Sequence, residues 1–284
     1  MSLALKSHCK VNLLLNVISR RSDGFHELET IFQPVPLYDE LSFEKSGHGV
    51  ELSCSDSRLA TGSENLVYRA AATFLKKIQG DGVKIHLQKS LPISAGIGAG
   101  SSNAAFTLRG LNELYGQPLD GDCLHSIAAE LGSDVPFFLQ DEVALGSGRG
   151  EQVRSVKPFE VLSGKGLLII NPGFGVSTPW AYERLASTPG NYGKSGQLDD
   201  VVTKLRSGDL GILFNSLEAP VFDKYVVLPV IKEFLIENGA LSALMSGSGS
   251  TTFAITESRP TAEALREKYH QNFGQTGWSA TVSL

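Results

Sequence analysis

Pro92-Ile-Ser-Ala-Gly-Ile-Gly-Ala-Gly-Ser-Ser-Asn-Ala-Ala105 lies between two segments of different period. Before it, Val83-Lys-Ile-His-Leu-Gln88 alternates, which puts Val83, Ile85 and Leu87 on one face of a strand. After it, Ala104, Ala105, Leu108, Leu111 and Leu114 recur at helical spacing until Gly116 and Pro118 stop the helix. The glycines therefore occupy a strand-to-helix loop, with Ser101 or Ser102 expected near the N-cap. The first N–H groups of a helix have no backbone partner and form the positive end of its dipole. Gly96, Gly98 and Gly100 have no Cβ, so the backbone can curl and turn successive N–H groups toward an anion. The pattern predicts a phosphate cradle. It is not a Walker loop, because no lysine precedes the serines, and Ser101 fills the third glycine position of the dinucleotide fingerprint.

Pro-x3-Gly-Ile-Gly-x-Gly-Ser-Ser-x-Ala-Ala resembles the signature of the galactokinase, homoserine kinase, mevalonate kinase and phosphomevalonate kinase superfamily. In those small-molecule kinases this loop wraps the triphosphate of ATP. The resemblance implies that Pro92, Gly96, Ile97, Gly98, Ala99, Gly100, Ser101 and Ser102 bind ATP, with Mg2+ carried on the nucleotide.

Composition narrows the remaining classes. A chain of 284 residues with a net charge of −5 and no basic run is a poor fit to nucleic acid or a membrane surface. No apolar run reaches the ~18 residues needed to span a bilayer. Lys6, His8 and Lys10 interrupt any signal-like apolar region, so a cytoplasmic location is expected. Cys9, Cys54 and Cys123 are scattered and odd in number, as in a reducing compartment. His26-Glu27 begins like a zinc-protease helix, but Thr30 stands where the second histidine is required. No Gly-x-Ser-x-Gly elbow occurs, and no metal site held by the protein is expected. A small-molecule substrate and a monomer or weak homodimer are expected.

From the N-terminus, residues 8–18 read as a strand with Cys9, Val11, Leu13, Leu15 and Val17 on one face. Lys10, Asn12, Leu14 and Asn16 share the other face, which by pattern alone is a solvated face. Lys10-Val-Asn-Leu, however, resembles the opening of the same kinases, which implies a catalytic Lys10 and a substrate-binding Asn12. Next comes Arg20-Arg-Ser-Asp-Gly-Phe-His-Glu-Leu-Glu-Thr-Ile-Phe-Gln33, then Leu37-Tyr-Asp-Glu-Leu41. Phe25 offers a ring that can stack and His26 an imidazole that can hydrogen-bond a base edge, although such a pair is commonly packing. This segment is similar to the 4-diphosphocytidyl-2-C-methyl-D-erythritol kinase family, where the aromatic and the histidine hold cytosine.

Residues 40–56 read as a hairpin broken at Gly47-His-Gly49, followed by an amphipathic helix from Ser63. Asn65 is either a first-turn residue of that helix or, by the resemblance, a neighbour of the adenosine of ATP. Cys123 to Leu131 reads as a helix ended by Gly132 in a left-handed stop. Asp134 before Val-Pro fits an Asx turn or cap, while the match to Gly-x-Asp-Val-Pro-x-Phe implies the catalytic base. The glycine cluster in residues 143–154 reads as a hairpin turn, since charged residues and not a helix follow it. Gly166 to Asn171 is a buried strand and Thr178-Pro-Trp-Ala-Tyr182 starts a helix; the resemblance implies that Thr178 and Tyr182 line the substrate pocket. Residues 187–200 read as a mobile loop. Leu228 to Asn238 is a helix, and residues 243–255 give strand, turn and strand; by resemblance Gly247 and Ser248 in the turn close over the acceptor. Residues 260–273 form the last helix and 278–284 the last strand.

The resemblance covers essentially the whole chain. It implies an α+β, two-domain small-molecule kinase fold, with an N-terminal α/β domain, a C-terminal ferredoxin-like domain and the active site in the cleft between them. The glycine-rich turn and Pro158 put the boundary near 155, giving domains 1–155 and 156–284. The implied reaction is ATP-dependent phosphorylation of the cytidylated methylerythritol. Two rivals differ in class or acceptor: a superfamily kinase for homoserine or mevalonate, which has no use for Phe25-His26, and a nucleotide sensor without turnover.

Overall fold

The computed structural model describes residues 2–187, 190 and 192–284. Thr188, Pro189 and Asn191, part of the expected loop at 187–200, lie outside the described residues. Backbone contacts divide the chain into two units: Met1–Cys9, Pro36–Ile93 and Gly98–Asp141 form the first, and Lys10–Val35, Ser94–Ile97 and Glu142–Leu284 the second. Strand β1 (Ser2–Arg20) and strand β2 (His26–Ser46) each contribute residues to both.

In the first unit, β3 (Gly49–Cys54) runs parallel to β4 (Gly82–Gln88), and β4 pairs antiparallel with β2. Residues 40–56 are therefore not a hairpin, because β4 inserts between the two strands. Alternation placed the strands correctly but could not name their partners, since period two is the same for parallel and antiparallel neighbours. Helices α1 (Leu66–Ile78), α2 (Ala99–Leu114) and α3 (Gly121–Leu131) pack on one another. Gly132 ends α3 with φ 171°, an extended conformation and not the expected left-handed stop.

The second unit contains a hairpin, β5 (Ala144–Ser147) and β6 (Gln152–Ser155), around the glycine cluster as expected, with β5 also paired to β2. Beyond it, β7 (Gly166–Asn171) is buried along its whole length, which is why its sequence is a continuous apolar run. Helices α4 (Thr178–Ala186) and α5 (Gln197–Arg206) follow, so the end of the expected loop is already helical. A two-residue strand β8 (Phe214–Asn215) pairs parallel with β1, and α6 (Glu218–Lys224) and α7 (Val227–Glu237) come next. The chain closes with β9 (Ser242–Met245), β10 (Thr252–Thr256), α8 (Arg259–Phe273) and β11 (Trp278–Ser283). The sheet order β11-β7-β10-β9, antiparallel throughout, with α7 and α8 supplying the covering layer, is the ferredoxin-like arrangement. Its core is Leu168, Ile170, Ile231, Leu235, Ala254 and Leu265.

Within the first unit, Gly110 shows how tightly helix meets sheet. A Cβ at this position would stand 2.6 Å from the ring of Phe43, a side chain only 1% exposed and unable to swing aside. Although alanine is the better helix former, Gly110→Ala should lower stability by ~1–3 kcal/mol through overpacking. Urea melts check this, and a stabilised variant would mean that helix propensity outweighs the clash.

Candidate active site

Residues 7–17 of strand β1 are buried on both faces. Lys10 and Asn12 are each 2% exposed and Asn16 is fully buried, so the face that pattern alone assigned to solvent is an internal polar face. A buried ammonium is costly unless oxygen atoms surround it. The Lys10 Nζ donates to Asn12 Oδ1 at 2.5 Å, reaches the Gly96 carbonyl at 3.5 Å and lies 5.5 Å from the ring centre of Phe32. Asn12 Nδ2 in turn donates to Thr30 Oγ1 at 2.8 Å, and that hydroxyl donates to the Leu14 carbonyl at 2.6 Å. The relay leaves Asn12 a single useful orientation, oxygen toward the ammonium and nitrogen toward Thr30.

The same strand holds the glycine loop, because the Lys10 backbone N–H donates to Ile97 O at 3.0 Å. Gly96 has φ 77°, and a Cβ there would meet Ser246 O at 2.3 Å. Ser246 Oγ donates to Gly96 O at 2.9 Å, and Gly247, at φ 57°, has space for a Cβ only 2.9 Å from that same carbonyl. Two glycine turns far apart in sequence thus lie back to back, and glycine is required where they meet. Asn215, which no local signal marks, fastens the second turn by donating to Met245 O at 2.7 Å and Gly247 O at 2.8 Å. In that turn, Ser248 Oγ lies 2.8 Å from Thr178 Oγ1, joining two of the expected substrate residues.

After the loop, Gly98 adopts φ 70° as the N-cap and α2 begins at Ala99. Ser101 and Ser102 consequently lie near the cap, as expected, within the first turn, while the cap itself is Gly98 through glycine's access to the left-handed region. The first turn carries no acidic residue, and the opening N–H groups retain their donor capacity. Ser102 Oγ is fully buried and, among the described residues, has no hydrogen-bond partner. An orphaned hydroxyl beside a helix start is a fit to phosphate oxygen. Pro92, half-buried, leads into the loop, and Gly100 is exposed beside Ser101.

His26 is 8% exposed and packs against two rings, Tyr182 at 5.0 Å and Tyr192 at 6.1 Å. Its Nε2 is buried without a partner in the described residues. Burial, reinforced by the nearby Arg20 charge, lowers its pKa below the ordinary imidazole value, which favours the neutral ring. Phe25, although adjacent in sequence, is half-exposed with the Arg149 guanidinium 4.7 Å from its ring centre. Arg149 belongs to the glycine-rich turn of the β5–β6 hairpin, whose Gly148 carbonyl accepts the Leu28 N–H at 2.8 Å. Tyr192 and Arg149 are therefore additions that sequence reasoning missed, one in the expected loop and the other in a turn read only as structural.

Asn65 is the N-cap of α1, accepting from Val67 N at 2.9 Å and donating to Ala60 O at 2.7 Å. Asp134, in the first unit, is half-buried in the turn between α3 and a short 3-10 helix, Pro136–Leu139.

Models of two families match the chain, the GHMP kinases N terminal domain over residues 65–142 and the GHMP kinases C terminal region over 202–275. A 4-diphosphocytidyl-2-C-methyl-D-erythritol kinase of Pelobacter propionicus is 38% identical over 286 residues, covering 99% of this chain and 98% of the relative. A kinase of the same name from Moorella thermoacetica is 37% identical over 96% of this chain and 97% of its own length. Among solved structures, a 4-(cytidine 5'-diphospho)-2C-methyl-D-erythritol kinase superposes with a TM-score of 0.82 at 34% identity, covering 99% of this chain and all (100%) of that one. Homoserine kinase from Cytophaga hutchinsonii shares the fold, with a TM-score of 0.68 at 21% identity over 99% of this chain and 95% of its own.

The lowered His26 pKa has a definite sign for stability. As pH falls, the unfolded chain takes up the imidazole proton before the folded one, so this contribution is present above the ordinary imidazole pKa and is lost on acidification through the folded value. The loss of stability between about pH 7.5 and about pH 5 should be smaller in His26→Gln than in the wild type. Urea midpoints at both pH values check it, and equal losses would show that the folded imidazole is as easily protonated as the unfolded one.

Proposed function

The chain belongs to the family of 4-diphosphocytidyl-2-C-methyl-D-erythritol kinases, and we propose that its polar face of β1, its glycine loop and its His26 pocket carry out the ATP-dependent phosphorylation of that alcohol, a step of the non-mevalonate route to isoprenoid precursors. The observation that carries the assignment is Nε2 of His26, buried beside Tyr182 with no partner among the described residues. A neutral imidazole there can pair with the edge of a cytosine while an aromatic ring covers its face.

Phosphoryl transfer asks a protein chiefly for positioning and charge neutralisation. In the proposed mechanism the substrate's 2-hydroxyl oxygen forms a bond to the γ-phosphorus, the bond from that phosphorus to the β–γ bridging oxygen breaks, and ADP departs. Asp134 accepts the hydroxyl proton. Lys10 stabilises charge on the transferring group, which is the use that offsets burying its ammonium. Asn12, locked by Thr30, holds the acceptor, and Thr178, Gly247 and Ser248 border it. Phe25, His26 and Tyr182 select the base. The N–H groups of Gly96 to Ser101, with the Ser102 hydroxyl that has no partner among the described residues, take the β- and γ-phosphates, while the Ser102 N–H is used within the helix on Gly98 O. Pro92 sets the entry to that loop, and Asn65 at the start of α1 is assigned to the adenosine end.

Magnesium, when bound to ATP, neutralises phosphate charge. Among the described residues no group of three or more His, Cys, Asp or Glu is placed to hold a metal ion, and no side chain is named as a magnesium ligand. A domain boundary near 155 falls between the matches of the two family models, residues 65–142 and 202–275, whereas the division by backbone contacts runs between Asp141 and Glu142. No helix among the described residues is long and apolar enough to cross a membrane.

Asp134→Asn should reduce turnover ~10²–10⁴-fold while substrate binding is largely kept. Near-wild-type turnover would remove Asp134 as the base. Phe25→Ala and His26→Ala should instead raise KM for the cytidylated substrate, and an unchanged KM in both would discard the cytosine assignment. ADP release with the cytidylated methylerythritol, beside mevalonate, homoserine and galactose, tests the reaction itself. Turnover with another acceptor would keep the fold and loop but replace the substrate.

A further inference from the structure

Tyr38-Asp39-Glu40 on β2 has no task in the proposed mechanism. Asp39 has no solvent exposure, a place where a carboxylate persists only if its lone pairs are met. They are met from both ends of the glycine loop. Its Oδ1 accepts the backbone N–H of Ser90 at 2.8 Å and that of Leu91 at 2.9 Å, the residues directly before Pro92. Its Oδ2 accepts Nδ2 of Asn103 at 3.1 Å, the residue directly after Ser102, and pairs with the ammonium of Lys89, whose side chain is 5% exposed. Asn103 is itself only 3% exposed, and its Oδ1 accepts Ser7 Oγ at 2.7 Å, which fixes which way the amide faces.

We propose that Asp39 is a positioning residue for ATP, a single buried carboxylate that clamps the entry and exit of the glycine loop and so holds the phosphate cradle in its binding conformation before nucleotide arrives. The inference rests on the reading of residues 92–102 as the phosphate loop. A loop whose ends were free would lose conformational entropy on closing around a triphosphate, and the loss would appear as weaker nucleotide binding. Lys89 completes the device. It neutralises the carboxylate, so that the clamp adds no net negative charge beneath an anion-binding loop.

Asp39→Asn separates this role from a merely structural one. Its amide oxygen can still accept Ser90 and Leu91, but its nitrogen faces two donors, Asn103 Nδ2 and the Lys89 ammonium, so the helix end of the clamp opens. Lys89→Met, added to it, removes the unpaired charge and keeps a folded protein available. The expected result is a KM for ATP raised ~10-fold with KM for the cytidylated substrate within about twofold of wild type. If neither variant folds, Asn103→Ala opens only the helix end and should raise KM for ATP ~3-fold or more. Folded variants with unchanged KM for ATP, whatever their melting temperature, would overturn the clamp. Hydrogen–deuterium exchange of the wild type with ADP distinguishes the two layers of the argument. Protection of residues 92–102 by ADP together with unchanged KM in the variants sinks the clamp alone. Absence of that protection sinks the phosphate-loop reading and the clamp with it.

Discussion

The need to satisfy one buried ammonium organises this molecule. Lys10 sits on a strand covered on both faces, where a charge without oxygen partners would cost several kcal/mol. Its partners come from its own strand, through Asn12, and from the glycine loop, through the Gly96 carbonyl. Each partner carries a further requirement: Asn12 needs Thr30 on β2, and the loop needs a second glycine turn behind it. A single desolvated charge thus draws a strand, a loop and a distant turn into one polar assembly.

Glycine does different work at each position of the loop. At Gly96 the backbone lies so close to Ser246 that no Cβ fits, whereas at Gly98 the left-handed conformation is what starts helix α2. The serines therefore lie within the first helical turn, where the Ser102 hydroxyl is buried with no partner among the described residues. Nε2 of His26 is likewise buried without a partner among the described residues, and the proposed reaction gives each of the two atoms a ligand.

Much of the architecture was legible from periodicity and breakers. The glycine-rich hairpin of β5 and β6, the buried run of β7 and the helices at the C-terminal end all stand where apolar spacing and turn residues put them. What failed was partnership. Residues 40–56 alternate as a hairpin would, yet β4 separates the two strands, because alternation reports a half-buried face and says nothing about the neighbour. The face of β1 bearing Lys10 and Asn12 failed for a related reason: polar residues signal solvent unless tertiary structure buries them. The two-residue strand β8 and helix α6 are too short to leave a periodic trace.

By itself the sequence determined the chemistry on offer. It supplied the glycines that only a close-approaching backbone needs, the Lys10 and Asn12 pair at strand spacing, the adjacent Phe25 and His26, and Asp134 at a turn. Only the tertiary structure decided which of these meet. It set His26 against Tyr182 and apart from the exposed side of Phe25, placed Ser248 on Thr178, backed Gly96 with Ser246, and closed Asp39 onto both ends of the loop. The physical reason is range. Backbone propensity and periodicity act over a few residues, whereas desolvation and hydrogen bonding act between whichever groups the packed fold brings within about 3 Å.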